Sequence, residues 1–116
     1  MQQLTGPELL LLRDAADAGA EPLLLDVREP WEFALAAIHD DGWRTLHIPM
    51  NEVPGRLAEI ETARTGAQPV VCICHHGMRS AQVVAFLERQ GMAHVYNLAG
   101  GVDAWSAQVD AGVPRY

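Results

Sequence analysis

One short segment of the chain holds the residue types needed for nucleophilic sulfur chemistry, Cys74-His75-His76-Gly77-Met78-Arg79-Ser80. A cysteine thiolate is a nucleophile, and it is favoured where backbone N–H groups converge at a helix N-terminus. Gly77 allows a left-handed or closely approaching backbone in the turn. Arg79, His75 and His76 add positive charge around it. The segment therefore predicts an anion cradle, which either stabilises a sulfur anion or binds a tetrahedral oxyanion for attack by that sulfur.

The length of this loop bears on which of these anions it fits. Four residues separate Cys74 from Arg79. Cysteine-dependent phosphatases use a Cys-x5-Arg loop, in which the extra residue makes room for a phosphate. The shorter loop fits a single sulfur atom bonded to Cys74, a persulfide, better than a phosphate. A phosphatase or arsenate reductase stays open as the less favoured alternative.

The other cysteine and the paired histidines have simpler interpretations. Cys72 lies two residues before Cys74 in an apolar run, so we expect it to pack in the core, with a resolving thiol as the alternative. His75 and His76 are adjacent and point in different directions, and no third ligand is evident. We therefore predict no metal site, and the chemistry requires no organic cofactor.

Composition excludes several classes of protein. Among 116 residues there are fifteen acids and eight bases, all arginine, for a net charge of −7. Without lysine there is no Schiff base to pyridoxal phosphate and no Walker-type phosphate contact. The acidic balance argues against nucleic-acid binding. A disulfide between two cysteines so close together would close only a very short loop, which argues against a disulfide-stabilised fold. No apolar stretch approaches the 18 residues typical of a membrane-spanning helix. We expect one cytoplasmic domain spanning 1–116, with no membrane partner.

Apolar strand-like runs alternate with helical segments along the chain. The first helix is expected to begin after Thr5, to bury Leu9 to Leu12 with Ala15 and Ala16, and to end at Gly19. The other predicted helices span 29–37, 51–64, 80–90 and 101–108. The predicted strands span 22–27, 43–48, 70–74 and 94–98. This alternation predicts an α/β fold, a parallel sheet with helices on both faces.

Ligands of such sheets bind beyond the carboxyl ends of the strands. The candidate segments are therefore 26–28, the residues after Ile48, 74–79 and 98–101. Among the tryptophans, Trp31 and Trp105 are expected in the core and Trp43 at the surface. Asp26 is expected to accept structural hydrogen bonds. Arg28 can serve either an ion pair or a substrate contact.

Five motifs in order give the sequence a family resemblance. They are Leu25-Asp26-Val27-Arg28-Glu29, Ile48-Pro49 with Leu57, Cys74-x-x-Gly77-x-Arg79-Ser80, Leu98-Ala99-Gly100-Gly101 with Trp105, and Gly112-Val113-Pro114. The chain resembles the rhodanese family over nearly its whole length. The chain departs from the family's Gly-His-Ile-x-Gly-Ala motif: its only His-Ile, His47-Ile48, is displaced, and residues 37–42 are the alternative, degenerate counterpart. The role of the stretch 36–44 at the site is thus left open.

The resemblance implies a sulfurtransferase on an open parallel five-stranded sheet flanked by helices, with Met1 to Leu4 as a short first strand. Cys74 would accept the sulfane sulfur, and the loop from His75 to Arg79 would bind it through backbone N–H groups. Asp26 and Arg28 match a motif that orders the active-site side of the sheet, and Ser80 completes the loop motif.

The predicted reaction moves sulfur from a donor such as thiosulfate to cyanide or a thiol through a Cys74 persulfide. The partners are a small sulfur-containing anion or persulfide donor and a thiol acceptor, which can be a protein. A relay or binding module serving a dedicated protein partner is the alternative. It gains if the mouth around His75, His76 and Arg79 is negative, because anionic thiosulfate would then be the wrong donor. A monomer or weak dimer is favoured.

Overall fold

The structure is a computed structural model that describes residues 2–38 and 43–116. Within those ranges five strands form one parallel sheet. Their bounds are β1 Gln2–Leu4, β2 Leu23–Asp26, β3 Arg44–His47, β4 Val70–Ile73 and β5 Val95–Leu98. The strand order is β1-β5-β4-β2-β3, and every neighbouring pair is parallel. The predicted α/β class with a five-stranded parallel sheet is confirmed.

Helices connect the strands. They are α1 Gly6–Ala15, α2 Pro30–Leu35, α3 Leu57–Ala63, α4 Met78–Arg89 and α5 Gly101–Gln108. Thr5 caps α1 as its sequence predicts, since its hydroxyl accepts from the Glu8 N–H while the Glu8 carboxylate accepts from the Thr5 N–H. Pro30 occupies the first turn of α2, where its missing N–H costs nothing.

Both faces of the sheet are buried, so alternate strand residues enter two separate apolar layers. Leu23, Leu25 and Cys72 pack with α3 and α4, against side chains such as Ile60 and Leu87. On the opposite face, the intervening strand residues Leu24, Val71 and Ile73 form a second layer. They pack with side chains of α1 and α5, namely Leu9, Val102 and Trp105. This two-sided burial explains why the central strands β2 and β4 read as unbroken apolar runs, whereas the edge strands β1 and β3 are partly exposed.

Two of the predicted helices differ from the structure. The expected helix over 51–64 divides into 3₁₀ turns at Met50–Glu52 and Pro54–Arg56 before α3 begins at Leu57. Pro54 lacks the N–H that a continuous helix needs there. The first helix stops at Ala15, and Gly19, at a φ of +86°, forms a separate turn in which the Ala20 N–H donates to the Asp17 carbonyl.

Burial also corrects three expectations about apolar side chains. Leu9 is fully buried on α1, whereas Leu11 is 69% exposed, because only one face of the helix meets the core. Ala15 is exposed as well. Trp31 is 63% exposed on the short α2, although Trp105 is buried as expected. Trp43 is partly buried and packs edge-on against Trp105, so it is not a surface residue.

The described ranges contain no helix with the length and apolar character to cross a membrane. Residues 39–42, within the stretch of uncertain motif alignment, lie outside the described residues, as does Met1.

Candidate active site

Cys74 follows β4 directly, at the carboxyl edge of the sheet, and its sulfur lies within hydrogen-bond distance of two donor groups. The Gly77 N–H donates at 3.0 Å, and the Ser80 hydroxyl donates at 3.2 Å. The residue is 1% exposed. Two donors aimed at one buried sulfur stabilise negative charge on it, which is the form a nucleophile needs.

The loop after Cys74 turns sharply at Gly77 and then enters α4. Gly77 has a φ of +99°, and an added Cβ would lie 3.2 Å from the Gly100 backbone nitrogen. The Gly77 carbonyl accepts from the Asn97 side-chain amide at 3.0 Å. The Asn97 oxygen lies within hydrogen-bond distance of the Ser80 hydroxyl, whose single proton is donated either to this oxygen or to the Cys74 sulfur. Asn97, in β5, therefore fixes the Gly77 turn and keeps the Ser80 hydroxyl next to the Cys74 sulfur.

The start of α5 supports the same loop from the other side. The Val102 N–H donates to the Cys74 carbonyl at 2.9 Å, and the Asp103 N–H donates to the His75 carbonyl at 3.1 Å. An added Cβ on Gly101 would lie 2.3 Å from the Cys74 carbonyl oxygen. The Gly100-Gly101 pair thus serves close backbone approach, and the N–H groups that follow it bind this loop.

Arg79 forms a bidentate ion pair with Glu32 of α2. Its two terminal nitrogens lie 2.6 and 2.8 Å from the two carboxylate oxygens. The Tyr116 hydroxyl also donates to this carboxylate, at 2.7 Å. The hydrogen bonds from Arg79, with a smaller contribution from Tyr116, lower the pKa of Glu32 to about 2. The positive charge that Arg79 brings to the loop is therefore matched by a carboxylate.

Asp26 and Arg28 form a buried pair at the end of β2. The Arg28 Nε and Nη2 lie 2.9 and 2.7 Å from the Asp26 carboxylate oxygens. The remaining Arg28 nitrogen donates to the Glu32 carbonyl and the Tyr116 hydroxyl. Arg28 is fully buried. Its guanidinium orders the elements around the site, and this geometry favours the ion-pair role over a substrate contact.

His75 is the middle ring of a three-ring stack. Its centroid lies 3.9 Å from that of His76 and 3.8 Å from that of Tyr116. Burial lowers the pKa of His75, with the charge of His76 as a second cause. A neutral His75 is therefore favoured near pH 7. His76 is exposed, and Met78 projects to solvent with 76% exposure.

The mouth of the site differs from the positive one expected from the sequence. Arg79 is paired with Glu32, and Arg28 is paired with Asp26. Asp103 lies 3.9 Å from the His76 Nδ1 and forms an ion pair with Arg115 at 3.0 Å. The tertiary fold brings three carboxylates to the three guanidinium groups, so their charges balance.

Cys72 lies on the same side of β4 as Cys74 but in a different setting. It is fully buried, and both cysteines are free thiols. Burial raises the pKa of the Cys72 thiol strongly. These observations support its predicted packing role over the role of a resolving thiol.

Three residues of the site were missed by sequence reasoning. Glu32 and Tyr116 reach the loop only through the fold. Glu32 lies 47 residues before Arg79 in the chain, and Tyr116 lies 84 residues after Glu32. Asn97 did carry a signal, since an amide within the apolar β5 run requires buried hydrogen-bond partners. Within the described ranges, no group of three or more His, Cys, Asp or Glu side chains could hold a metal ion.

The family model of the rhodanese-like domain matches residues 8–108 of the chain. The chain belongs to the rhodanese-like domain family. Its fold is similar to that of a rhodanese-related protein from Thermoplasma volcanium. The two superpose with a TM-score of 0.74 at 25% identity, over 94% of each chain.

Two relatives are similar to the chain over most of their own length. A sulfurtransferase from Allochromatium vinosum is 42% identical over 84 residues, which cover 72% of this chain and 71% of the relative. The thiosulfate sulfurtransferase GlpE from Pseudoalteromonas translucida is 30% identical over 78% of this chain and 90% of its own. Several other relatives are longer, and the chain spans between 21% and 31% of their length. The relatives support sulfurtransferase activity in the broad sense.

Proposed function

We propose that this rhodanese moves sulfane sulfur as a persulfide on Cys74. The observation that carries the proposal is the pair of donors on the Cys74 sulfur, the Gly77 N–H and the Ser80 hydroxyl. Asn97 holds the Gly77 carbonyl and lies against the Ser80 hydroxyl, whose proton turns to the sulfur when Cys74 is ionised. Such donors favour the thiolate before the donor binds and again after the sulfur has left.

The reaction consists of two displacements at sulfur. In the first, the Cys74 thiolate attacks the outer sulfur of a donor such as thiosulfate. The donor's S–S bond breaks, and its electron pair leaves with sulfite, or with a thiolate when the donor is a persulfide. In the second, cyanide or a thiolate attacks the outer sulfur of the persulfide, and the electron pair of that S–S bond returns to Cys74. This is covalent catalysis with ping-pong kinetics and no net oxidation of the enzyme.

Mass spectrometry of the intact protein after thiosulfate treatment tests the covalent step. We expect a gain of one sulfur atom, about 32 Da, on Cys74 and its loss on adding cyanide. Cys74→Ser should keep the fold and lose both the added mass and turnover. Cys72→Ala is the matched control, because Cys72 packs on the same side of β4 without contacting a donor group of the loop, and it should keep the added mass.

Two other results would contradict this proposal. One is an unmodified Cys74 after treatment with either thiosulfate or a small-molecule persulfide. The other is hydrolysis of an aryl phosphate by a Cys74-dependent route in the absence of sulfur transfer, which would assign the loop to phosphatase chemistry.

A relay between proteins is a second candidate, favoured by the surroundings of the loop. Arg79 is matched by Glu32, so the loop offers little excess positive charge to a small anion. The residues next to this ion pair, Trp31 and Met78, are exposed apolar side chains. Exposed aromatic and methionine side chains are typical of protein contacts.

The relay is tested by comparing donors. A cysteine desulfurase supplied with cysteine should load Cys74 faster than thiosulfate does at equal concentration of donor. Trp31→Ala and Met78→Ala should slow loading by the desulfurase and leave loading by thiosulfate unchanged. Equal effects on both donors would assign these side chains to the loop itself rather than to a protein contact.

A further inference from the structure

The ion pair between Glu32 and Arg79 lies at the entrance of the active-site helix and connects it to α2. Arg79 is the second residue of α4 and the fifth residue after Cys74. The guanidinium is partly exposed, with 35% of its side chain accessible, whereas the Glu32 side chain is 4% exposed. The carboxylate therefore approaches Arg79 from the protein interior, and solvent meets the cation.

The carboxylate stays ionised at neutral pH and well below it. Arg79 and Tyr116 both donate to it, and its pKa lies near 2. Arg79 consequently has a permanent counter-charge at 2.6 Å. A donor that reaches the loop meets a dipole at this position instead of a net positive charge.

The other described charges around the loop do not restore a positive field. Arg115 and His76 both lie near the carboxylate of Asp103, and Arg28 is buried against Asp26. The lowered pKa of His75 keeps its ring neutral. The charge that the loop presents to an approaching donor is thus decided mainly by whether Glu32 is present.

We infer that Glu32 is a specificity-determining residue, which sets the charge of the sulfur donor that the loop prefers. By neutralising Arg79, it removes the attraction for a second negative charge on the donor. The preference of the loop, measured as kcat/KM, therefore shifts from dianionic toward monoanionic donors. This inference rests on the proposed sulfur transfer through Cys74. Glu32 touches no reacting atom, and its effect passes through Arg79.

Two donors that differ by one charge isolate the effect. Thiosulfate is a dianion, and methanethiosulfonate replaces one of its charged oxygens by a methyl group and is a monoanion. Each is attacked at its outer sulfur by the Cys74 thiolate, and the S–S bond breaks with its electron pair leaving on sulfite or on methanesulfinate. Sulfur then passes from Cys74 to cyanide in both assays, so only the first displacement differs.

The measured quantity is the ratio of kcat/KM for thiosulfate to kcat/KM for methanethiosulfonate. Glu32→Gln removes the counter-charge and keeps the shape of the side chain, and we expect the ratio to rise about tenfold through stronger attraction of the dianion. Glu32→Asp keeps the charge, and the ratio should stay within about twofold of the wild-type value. Glu29→Gln removes an exposed carboxylate at the start of the same helix and should likewise change the ratio by less than about twofold.

A double variant covers the case in which Glu32→Gln alone does not fold. Glu32→Gln combined with Arg79→Gln removes both charges and leaves no unpaired ion in the site. If Arg79 is already neutralised in the native protein, the double variant keeps the native ratio. A ratio that drops by tenfold or more would show that Arg79 attracts the dianion directly despite Glu32, and the inference would be wrong.

The native protein provides a test that needs no variant. Its kcat/KM for thiosulfate should not fall as salt is raised from low to physiological ionic strength, because the loop offers no net positive charge to screen. A steep fall with salt would overturn the inference. If Cys74 takes up no sulfur from either donor or from a small-molecule persulfide, the proposed function itself fails. If the persulfide forms but Glu32→Gln leaves the ratio of the two kcat/KM values unchanged, only the inferred role of Glu32 is wrong.

Discussion

Cys74 and Cys72 are chemically identical side chains two residues apart, and their surroundings separate them. Both are buried on the same side of β4. Only Cys74 stands past the end of the strand, where the Gly77 N–H and the Ser80 hydroxyl donate to its sulfur. Burial without donors raises the pKa of Cys72. Hydrogen bonds, rather than exposure, thus distinguish the candidate nucleophile from the packing residue.

Ser80→Ala tests the contribution of the hydroxyl to Cys74. It removes one of the two donors on the sulfur, and a hydrogen bond to a charged group is worth about 1.5 kcal/mol. We expect alkylation of Cys74 by iodoacetamide at fixed pH, and formation of the persulfide, to slow by about tenfold. Ser106→Ala is the control, since Ser106 is also a buried serine but donates to the Val113 carbonyl away from the loop. Equal rates in the two variants would assign Ser80 to packing alone.

The active-site loop owes its shape to the elements that follow β4 and β5. Two successive N–H groups at the start of α5 donate to the first two carbonyls of the loop. This requires the α5 backbone to come so close that Gly101, at a φ of +61°, leaves no space for a Cβ beside the Cys74 carbonyl. The glycine is therefore required by contact between two elements as well as by its own backbone angle.

Gly101→Ala should destabilise the protein by about 2 to 5 kcal/mol, because a methyl group clashes with the loop and the backbone angle is unfavourable. Urea unfolding followed by circular dichroism measures the change. Gly55→Ala is the matched control, since a Cβ there meets no atom within 4 Å, and its effect should stay within about 0.5 kcal/mol. A loss of persulfide formation in a folded Gly101→Ala protein would further show that the loop has moved. A stability equal to that of the control would contradict the close approach.

The charges of the whole molecule are organised as local pairs in spite of the net charge of −7. In the described residues, Arg28, Arg56, Arg79 and Arg115 each lie against carboxylates, and the pKa values of Glu32, Glu59 and Asp103 are lowered mainly by their arginine partners. A carboxyl group with a lowered pKa binds fewer protons when folded than when unfolded. Its stabilising contribution is present above the ordinary pKa, 4.5 for Glu32 and Glu59 and 3.8 for Asp103, and declines as the pH falls toward the folded pKa.

Glu32 should account for a measurable part of the loss of stability in acid. It titrates near 4.5 in the unfolded chain and near 2 in the folded protein. We expect the free energy of unfolding of Glu32→Gln to be about 2 kcal/mol lower than that of the native protein at pH 7. This difference should shrink as the pH falls from 4.5 toward 2. Glu61→Gln, at an exposed position of α3, should follow the native curve. A difference that is independent of pH would mean that Glu32 acts by packing and not by charge.

The amino-acid sequence by itself determined the cysteine loop, the alternation of strands and helices, and the positions of the apolar strand-forming runs along the chain. These features depend on neighbouring residues: apolar periodicity, the Thr5 cap, a glycine before α4 and a cysteine at the end of a strand. Where local signals competed, as with Pro54 inside an otherwise helical stretch, the predicted boundary was wrong.

Only the tertiary structure decided the charge and the support of the site. Glu32 meets Arg79 across 47 residues, Tyr116 meets Glu32 across 84, and Asn97 meets Ser80 across 17. No local preference encodes these pairs, since each depends on the way that parallel strands bring distant chain segments to one edge of the sheet. The sequence could therefore single out Cys74 as the candidate nucleophile, while the charge around it depends on contacts that exist only in the folded protein.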